Sequence, residues 1–218
     1  MVILYIVKTI FFPIQPIIRI DLIDVSESDK KHQFSNQTKY EILVKEHCEE
    51  SIDSLETNDK FIFGKFTTTA ESEEQDINTL IDSPTKLCDN VTTVPKNFPK
   101  KDGTYLNKAI EEAQSQIKSQ RNKKINYPVA ITIFIESDDG GGETISDNVK
   151  QEITNLRENQ RASIAVIGLE GLPDDNTLKK WLIDNGVETC TFENHKYCTE
   201  QVISNARNNS EKPEAKIE

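Results

Sequence analysis

The side chains in this sequence that could do chemistry are oxygen donors in three clusters. Asp24, Ser26 and Ser28 alternate directly after an apolar run that contains Ile18, Ile20 and Leu22. In an extended or loosely turning chain alternate side chains point the same way, so one carboxylate and two hydroxyls can converge. Thr104 follows Gly103 where a periodic stretch begins, and Asp138 and Asp139 follow a second apolar run. Carboxylates and hydroxyls suit a hard divalent cation. Magnesium is the first expectation, with manganese or calcium as alternatives, because these ions take oxygen ligands and magnesium keeps positions open for water or a partner's oxygen. Taken alone, Asp-x-Ser-x-Ser is also turn and helix-cap chemistry. The elements around the donors must decide.

Those elements alternate along the chain. The run 16–25 is rich in β-branched residues, begins after Pro16, and predicts a strand. Residues 36–57 place Tyr40, Val44, His47, Cys48, Ile52 and Leu55 at helical spacing. Residues 61–66 predict the next strand, completing a right-handed βαβ unit. The stretch 67–103 has no strong period, and it is expected to hold a short edge strand and a helical turn near Ile77. Leu106, Ala109, Ile110, Ala113 and Ile117 mark an amphipathic helix ending near Arg121. Residues 129–135 form a nearly continuous apolar run, the pattern of a central parallel strand covered on both faces. Beyond it, Ser146 is expected to cap a helix, 162–169 to form a buried strand, and Asp174 or Asp175 to cap a helix closed by Gly186. A strand over 187–192 and a helix over 197–207 complete the alternation. The fold class that follows is α/β: a doubly wound, mostly parallel central sheet of six strands with helices on both faces, in three layers. Residues 1–16 read as an apolar N-terminal extension, 17–207 as one domain and 208–218 as a disordered polar tail.

At 218 residues and 35% hydrophobic content the chain can bury one sizeable core. Its net charge of −11 argues against nucleic acid or an anionic membrane as partner. The apolar segment 1–12 is too short for a bilayer span, which needs about 20 apolar residues. It reads first as an extra edge strand and second as a weak membrane or partner anchor. Cys48, Cys88, Cys190 and Cys198 form no Cys-x-x-Cys pair and are expected to be buried free thiols. With no secretion signal and no disulfide pattern, the expected setting is cytoplasmic. His32, His47 and His195 show no metal-ligand spacing, and His47 is expected at the edge of the core.

An Asp-x-Ser-x-Ser group after the first strand, Gly103-Thr104 at a helix start, and Asp138 past the central strand together resemble a von Willebrand factor A domain. Their order and placement are similar to that family's metal ion-dependent adhesion site, and the resemblance covers about residues 17–207. It implies Asp24, Ser26, Ser28, Thr104 and Asp138 as metal-site residues, with Asp139 as the alternative to Asp138. It also implies an open position that takes an Asp or Glu carboxylate from a partner protein. Two features depart from the family pattern: Glu27 stands where the family has Gly between the serines, and Asp139 separates Asp138 from Gly140. Lys96, Lys100 and Lys101 form a basic cluster expected on the partner-binding rim.

The function this implies is a divalent-cation-dependent protein-interaction module, and not an enzyme. One rival is a metal-assisted phosphohydrolase or phosphotransferase using Asp21 or Asp24 as nucleophile. Such sites commonly need a second carboxylate two residues on, where this chain has Ser26. The other rival is a degenerate domain that binds its partner without metal.

Overall fold

The computed structural model describes residues 14–25, 33–34, 37–82, 85–89, 91, 93, 106–135, 146–169 and 172–209. Its centre is β1 (Ile18–Asp24), which is buried at every position. β4 (Lys60–Phe66) and β6 (Val129–Phe134) flank it, both parallel, so β1 meets no water at either edge. Ile20 pairs with Ile62 on one side and Ile131 on the other, as a strand read from a continuous apolar run should.

Outward from this centre, β5 (Ala70–Gln75) lies antiparallel on β4. On the other side β7 (Ala162–Ile167) and β8 (Glu188–Cys190) continue the parallel sheet. The strand order is β5-β4-β1-β6-β7-β8, the six-strand sheet expected, and the chain's direction of travel across it reverses between β1 and β6. Gln33–Phe34 (β2) and Gln37–Thr38 (β3) pair as a small separate ribbon.

Side-chain alternation along β1 separates two cores. Ile18, Ile20 and Leu22 face α4 (Leu106–Asn122), α5 (Asp147–Glu158) and α6 (Thr177–Asp184). Ile17, Ile23 and Val25 face α1 (Lys39–Asp53), the short α2 (Ile77–Asp82) and α3 (Thr85–Cys88), and the last helix, α7 (His195–Asn208). Arg207 in the last turn of α7 makes a two-pronged pair with buried Asp59 at 2.8 and 3.1 Å. Asp59 also accepts the amide of Ile17 at 2.9 Å, so one carboxylate anchors α7 beside the start of β1.

Several local expectations hold. Ser146 caps α5, its hydroxyl accepting from the Val149 amide at 3.3 Å. Gly186 adopts φ +69° after α6, the left-handed conformation that closes a helix. The edge strand and helical turn expected within 67–103 are β5 and α2. β5 carries Glu71, Glu73 and Glu74, and such an acidic edge discourages pairing with another chain.

Other expectations need correction. Neither Asp174 nor Asp175 caps α6; Asn176 does, accepting from the amides of Leu178 and Lys179 at 2.9 and 3.1 Å. The helix begins at Thr177, so only the residue directly before it has the reach, and Asp174 instead accepts from the Lys179 ammonium at 2.7 Å. The strand expected over 187–192 shrinks to Glu188–Cys190, because Phe192–Asn194 form a single helical turn leading into α7. The largest correction concerns the thiols. Cys48–Cys88 and Cys190–Cys198 are disulfides, and no cysteine is free. Cys48 on α1 meets Cys88 on α3 because both elements pack on the same face of the sheet, with Cα atoms 5.6 Å apart. Cys190 meets Cys198 because the turn after β8 folds α7 back beside it. The expected cytoplasmic setting loses one of its supports, since cystines form and persist in oxidising surroundings.

Among the described residues no helix is long and apolar enough to cross a membrane. The N-terminal segment 1–12 and the tail 210–218 lie outside the described residues.

Candidate functional site

Asp24 is the last residue of β1 and has no exposed surface. It pairs in register with Phe66 at the end of β4, and the residue before it pairs with Phe134 at the end of β6. Parallel strands end on one side, so the segments after β1 and β6 leave the sheet from the same edge, at the point where strand order reverses. That crevice is where open α/β sheets bind ligands.

The third donor group belongs to the segment entering α4. Glu112 accepts from the Ser72 hydroxyl and Glu74 accepts from the Gln120 amide, both across to β5. Ala70 lies opposite Phe66 at the end of β4, and Glu74 lies opposite Ile62 near its start. α4 therefore descends away from the Asp24 edge, and its first residue, Leu106, lies toward that edge. The ends of β1 and β6 and the start of α4 thus lie toward one side of the sheet.

Ser26, Ser28, Thr104, Asp138 and the alternative Asp139 lie outside the described residues, as do Lys96, Lys100 and Lys101. Of the proposed donors, the structure positions Asp24. The donor chemistry fits a hard cation, being carboxylate and hydroxyl oxygen without sulfur or imidazole. Just beyond the end of β4, Thr67 is 2% exposed, and the hydroxyls of Thr67 and Thr68 are buried without a hydrogen-bond partner among the described residues. Among the described residues, polar capacity is therefore left unused at this edge. No cluster of three or more His, Cys, Asp or Glu able to hold a metal exists among the described residues.

Lys65, beside Ile23 in register, is a feature of this edge that sequence reasoning passed over. Its ammonium donates to the Thr93 carbonyl at 2.9 Å and so holds the chain after α3 against the top of β4. Burial lowers its pKa, and nearby Glu71 acts in the opposite direction.

A second polar group lies below the edge, between β1 and α1. Arg19 is 1% exposed. Its guanidinium donates to the Ser51 carbonyl at 3.0 Å, the Ser54 hydroxyl at 2.6 Å, the Ser51 hydroxyl at 2.6 Å and Asp21 Oδ1 at 3.3 Å. Asp21 Oδ2 lies 3.2 Å from Arg19 Nη2 and 3.4 Å from His47 Nε2. Burial works to raise the Asp21 pKa, but the Arg19 charge and the His47 ring outweigh it and hold the carboxylate well below its usual range. Burial lowers the pKa of His47, with Asp21 opposing, so the ring is neutral near pH 7.

Ser51, His47 and Asp21 together look like a nucleophile relay, but the geometry does not serve one. The Ser51 hydroxyl, at 3.1 Å, and Asp21 both contact the same ring nitrogen, Nε2, whereas a relay needs one partner on each nitrogen. The Ser51 oxygen also accepts from Arg19. Asp21, offered above as a phosphoryl nucleophile, is held in this buried pair three residues short of the sheet edge.

The cluster makes stability sensitive to acid. Both shifted groups have folded pKa values below their unfolded ones, so the unfolded chain binds more protons as pH falls, and stability present at neutral pH is lost. His47 acts first, below its unfolded value of 6.5. Asp21 follows below its unfolded value of 3.8. The midpoint of thermal unfolding should fall between pH 7.5 and pH 5, and His47→Gln should flatten that limb of the profile. An unchanged slope in the variant would assign the acid sensitivity elsewhere.

The chain matches the von Willebrand factor type A domain model over residues 21–206. Comparison with curated proteins gives no match. Among solved structures, BatB from Bacteroides thetaiotaomicron superposes with TM-score 0.59 at 14% identity, covering 90% of this chain and 100% of that one. The PilB minor pilin from Streptococcus sanguinis gives 0.57 at 11% identity, covering 91% of this chain and 64% of the pilin. Proximal thread matrix protein 1 from the mussel byssus, with a zinc-occupied MIDAS motif, gives 0.51 at 13% identity, covering 88% and 46%. This chain thus spans all of BatB, under two thirds of the pilin and about half of the matrix protein. At these identities the likenesses speak for the fold, and the family match spans most of the chain. The chain belongs to the von Willebrand factor type A domain family.

Proposed function

We propose that this domain is a divalent-cation-dependent protein-interaction module that receives an Asp or Glu carboxylate from a partner protein. The observation that carries this reading is the placement of Asp24. It is a fully buried carboxylate at the end of the central strand, at the reversal of strand order and on the edge where β6 also ends and toward which α4 begins. Asp24, Ser26, Ser28, Thr104 and Asp138 (or Asp139) would hold magnesium, with manganese or calcium as alternatives. The cation supplies a Lewis-acidic position for a partner's oxygen. Asp24 contributes charge from a buried site, the hydroxyls of Ser26, Ser28 and Thr104 contribute neutral oxygens, and few direct charges leave the ion able to attract an anion to an acidic protein. Lys96, Lys100 and Lys101 would flank the site and attract the same carboxylate-bearing surface. The matrix protein with a zinc-occupied MIDAS motif lends support from a structural neighbour. The two cystines favour an oxidising compartment over the cytoplasm.

Capture of a partner should require magnesium, disappear with chelator and return when magnesium is restored. Asp24→Ala and Thr104→Ala should each abolish capture. Replacing Lys96, Lys100 and Lys101 together by Ala should weaken it without lowering the melting temperature. Capture that persists in chelator, and in both single variants, would favour a metal-independent interaction.

A further inference from the structure

Asparagine followed two residues later by serine or threonine, with any residue but proline between, is the acceptor motif for an N-linked glycan. The chain has it three times, as Asn36-Gln37-Thr38, Asn90-Val91-Thr92 and Asn208-Asn209-Ser210. Asn36 and Asn90 lie outside the described residues, and Asn208 is the acceptor whose surroundings the structure gives. The other asparagines beside it lack the motif, since Arg207 stands two residues after Asn205 and Glu211 two residues after Asn209.

Asn208 is the last residue of α7, and Asn209 caps the helix. The helix packs inward through Cys198, Val202 and Ala206. Two residues beyond Ala206 is about 200° around the helix, so Asn208 is turned away from the sheet and exposed. Its carboxamide makes no hydrogen bond among the described residues. It borders an open hollow of about 570 Å³ with Arg161, Ser163 and Asn205, so a group attached to its nitrogen meets space and not packed side chains. Arg207, next to it, ties the end of the helix to Asp59, which also accepts the amide of Ile17 before β1. Asn208 therefore sits where β1 and β4 begin, at the end of the sheet opposite Asp24. A bulky group here leaves the Asp24 edge uncovered.

The cysteine chemistry agrees with this modification. All four cysteines are joined as cystines, which form in the oxidising lumen where glycans are also transferred to secreted chains. We propose that Asn208 carries an N-linked glycan added in that compartment. The inference rests on the oxidising setting proposed above and not on the cation site. In the transfer, Asn208 Nδ2 bonds to the anomeric carbon of an oligosaccharide held as a polyprenyl diphosphate. The anomeric C–O bond breaks, the polyprenyl diphosphate leaves with the electron pair, and the amide proton passes to a base of the transferase. Ser210 supplies the hydroxyl that completes the recognised motif.

The test is mass spectrometry of the peptide containing Asn208, from the full chain isolated from its native source, before and after peptide N-glycosidase. Before digestion the peptide should carry a glycan. Afterwards it should have lost that mass and hold aspartate where the asparagine stood. In the full chain secreted from eukaryotic cells, Ser210→Ala keeps the acceptor and removes the recognition hydroxyl, while Asn208→Gln removes the acceptor. Each should abolish the glycan on this peptide, whereas Ser210→Thr should retain it. Circular dichroism of the variants should match the parent. An unmodified Asn208 in the native protein would overturn the assignment. If both cystines are intact in that protein, the oxidising setting stands and the glycan site alone fails; free thiols would sink both. A glycan that persists on this peptide in Asn208→Gln would place it on another residue and also overturn the assignment.

Discussion

Arg19→Met should cost about 3–5 kcal/mol, the usual penalty for removing one partner of a buried ion pair and leaving the other charged. For a chain of this size that corresponds to a fall of roughly 6–20 °C in the melting temperature. The side chain reaches from near the start of β1 to Ser51 on α1 and Ser54 just past its end, so its loss frees a strand-to-helix tie as well as a charge. It would leave Asp21, 1% exposed, with only the neutral ring of His47 beside it. The double variant Arg19→Met with Asp21→Leu should recover much of the loss, because no charge then remains buried without its partner. If the single variant melts within a degree or two of the parent, the pair does not hold the helix to the sheet as the geometry indicates.

The second large effect is expected from the cystines. Cys48 and Cys88 are 40 residues apart, and closing a loop of that length removes unfolded-state entropy worth about 4 kcal/mol; the shorter Cys190–Cys198 link is worth about 2.5 kcal/mol. Both are substantial beside a typical total stability of about 5–15 kcal/mol. The variant Cys48→Ala with Cys88→Ala should therefore melt roughly 8–16 °C lower. Cys190→Ala with Cys198→Ala should show a smaller loss. The first link also fastens α3, and with it the chain that Lys65 holds at Thr93, to the helix after β1. Mass spectrometry of the purified protein should find no free thiol. Four free thiols in a protein of unaltered stability would contradict this pairing.

The parts legible in the sequence are those where local pattern and tertiary role agree. Residues 18–23 and 129–134 declare a buried parallel pair because every position is covered, so apolar β-branched residues recur without alternation. The exceptions inside β1 are Arg19 and Asp21, and they carried a signal. Two opposite charges spaced by two in a buried strand share a face and need a polar neighbour, which His47 and Ser51, spaced by four on α1, provide. β5 was legible only as a short edge, since Ala70-Glu71-Ser72-Glu73-Glu74-Gln75 has neither apolar alternation nor β-prone residues and is held by pairing to β4 and by hydrogen bonds to α4. The cystines were illegible because they join elements whose proximity exists only once the sheet is wound. The position of Asp24 at the sheet edge followed from the end of its apolar run.

If Asp24 belongs to a cation site that only the folded chain assembles, magnesium should raise the melting temperature. Stabilisation by magnesium at a hundred times its dissociation constant should amount to about 2.7 kcal/mol by mass action, a rise of roughly 5–10 °C in the melting temperature. The most direct measurement is a calorimetric titration of magnesium into the metal-free folded protein, beside the same titration of Asp24→Ala. One site per chain in the parent and none in a variant that remains folded is the predicted result. A folded parent that takes up no magnesium, or an Asp24→Ala variant that binds it as tightly as the parent, would rule out Asp24 as part of a cation site.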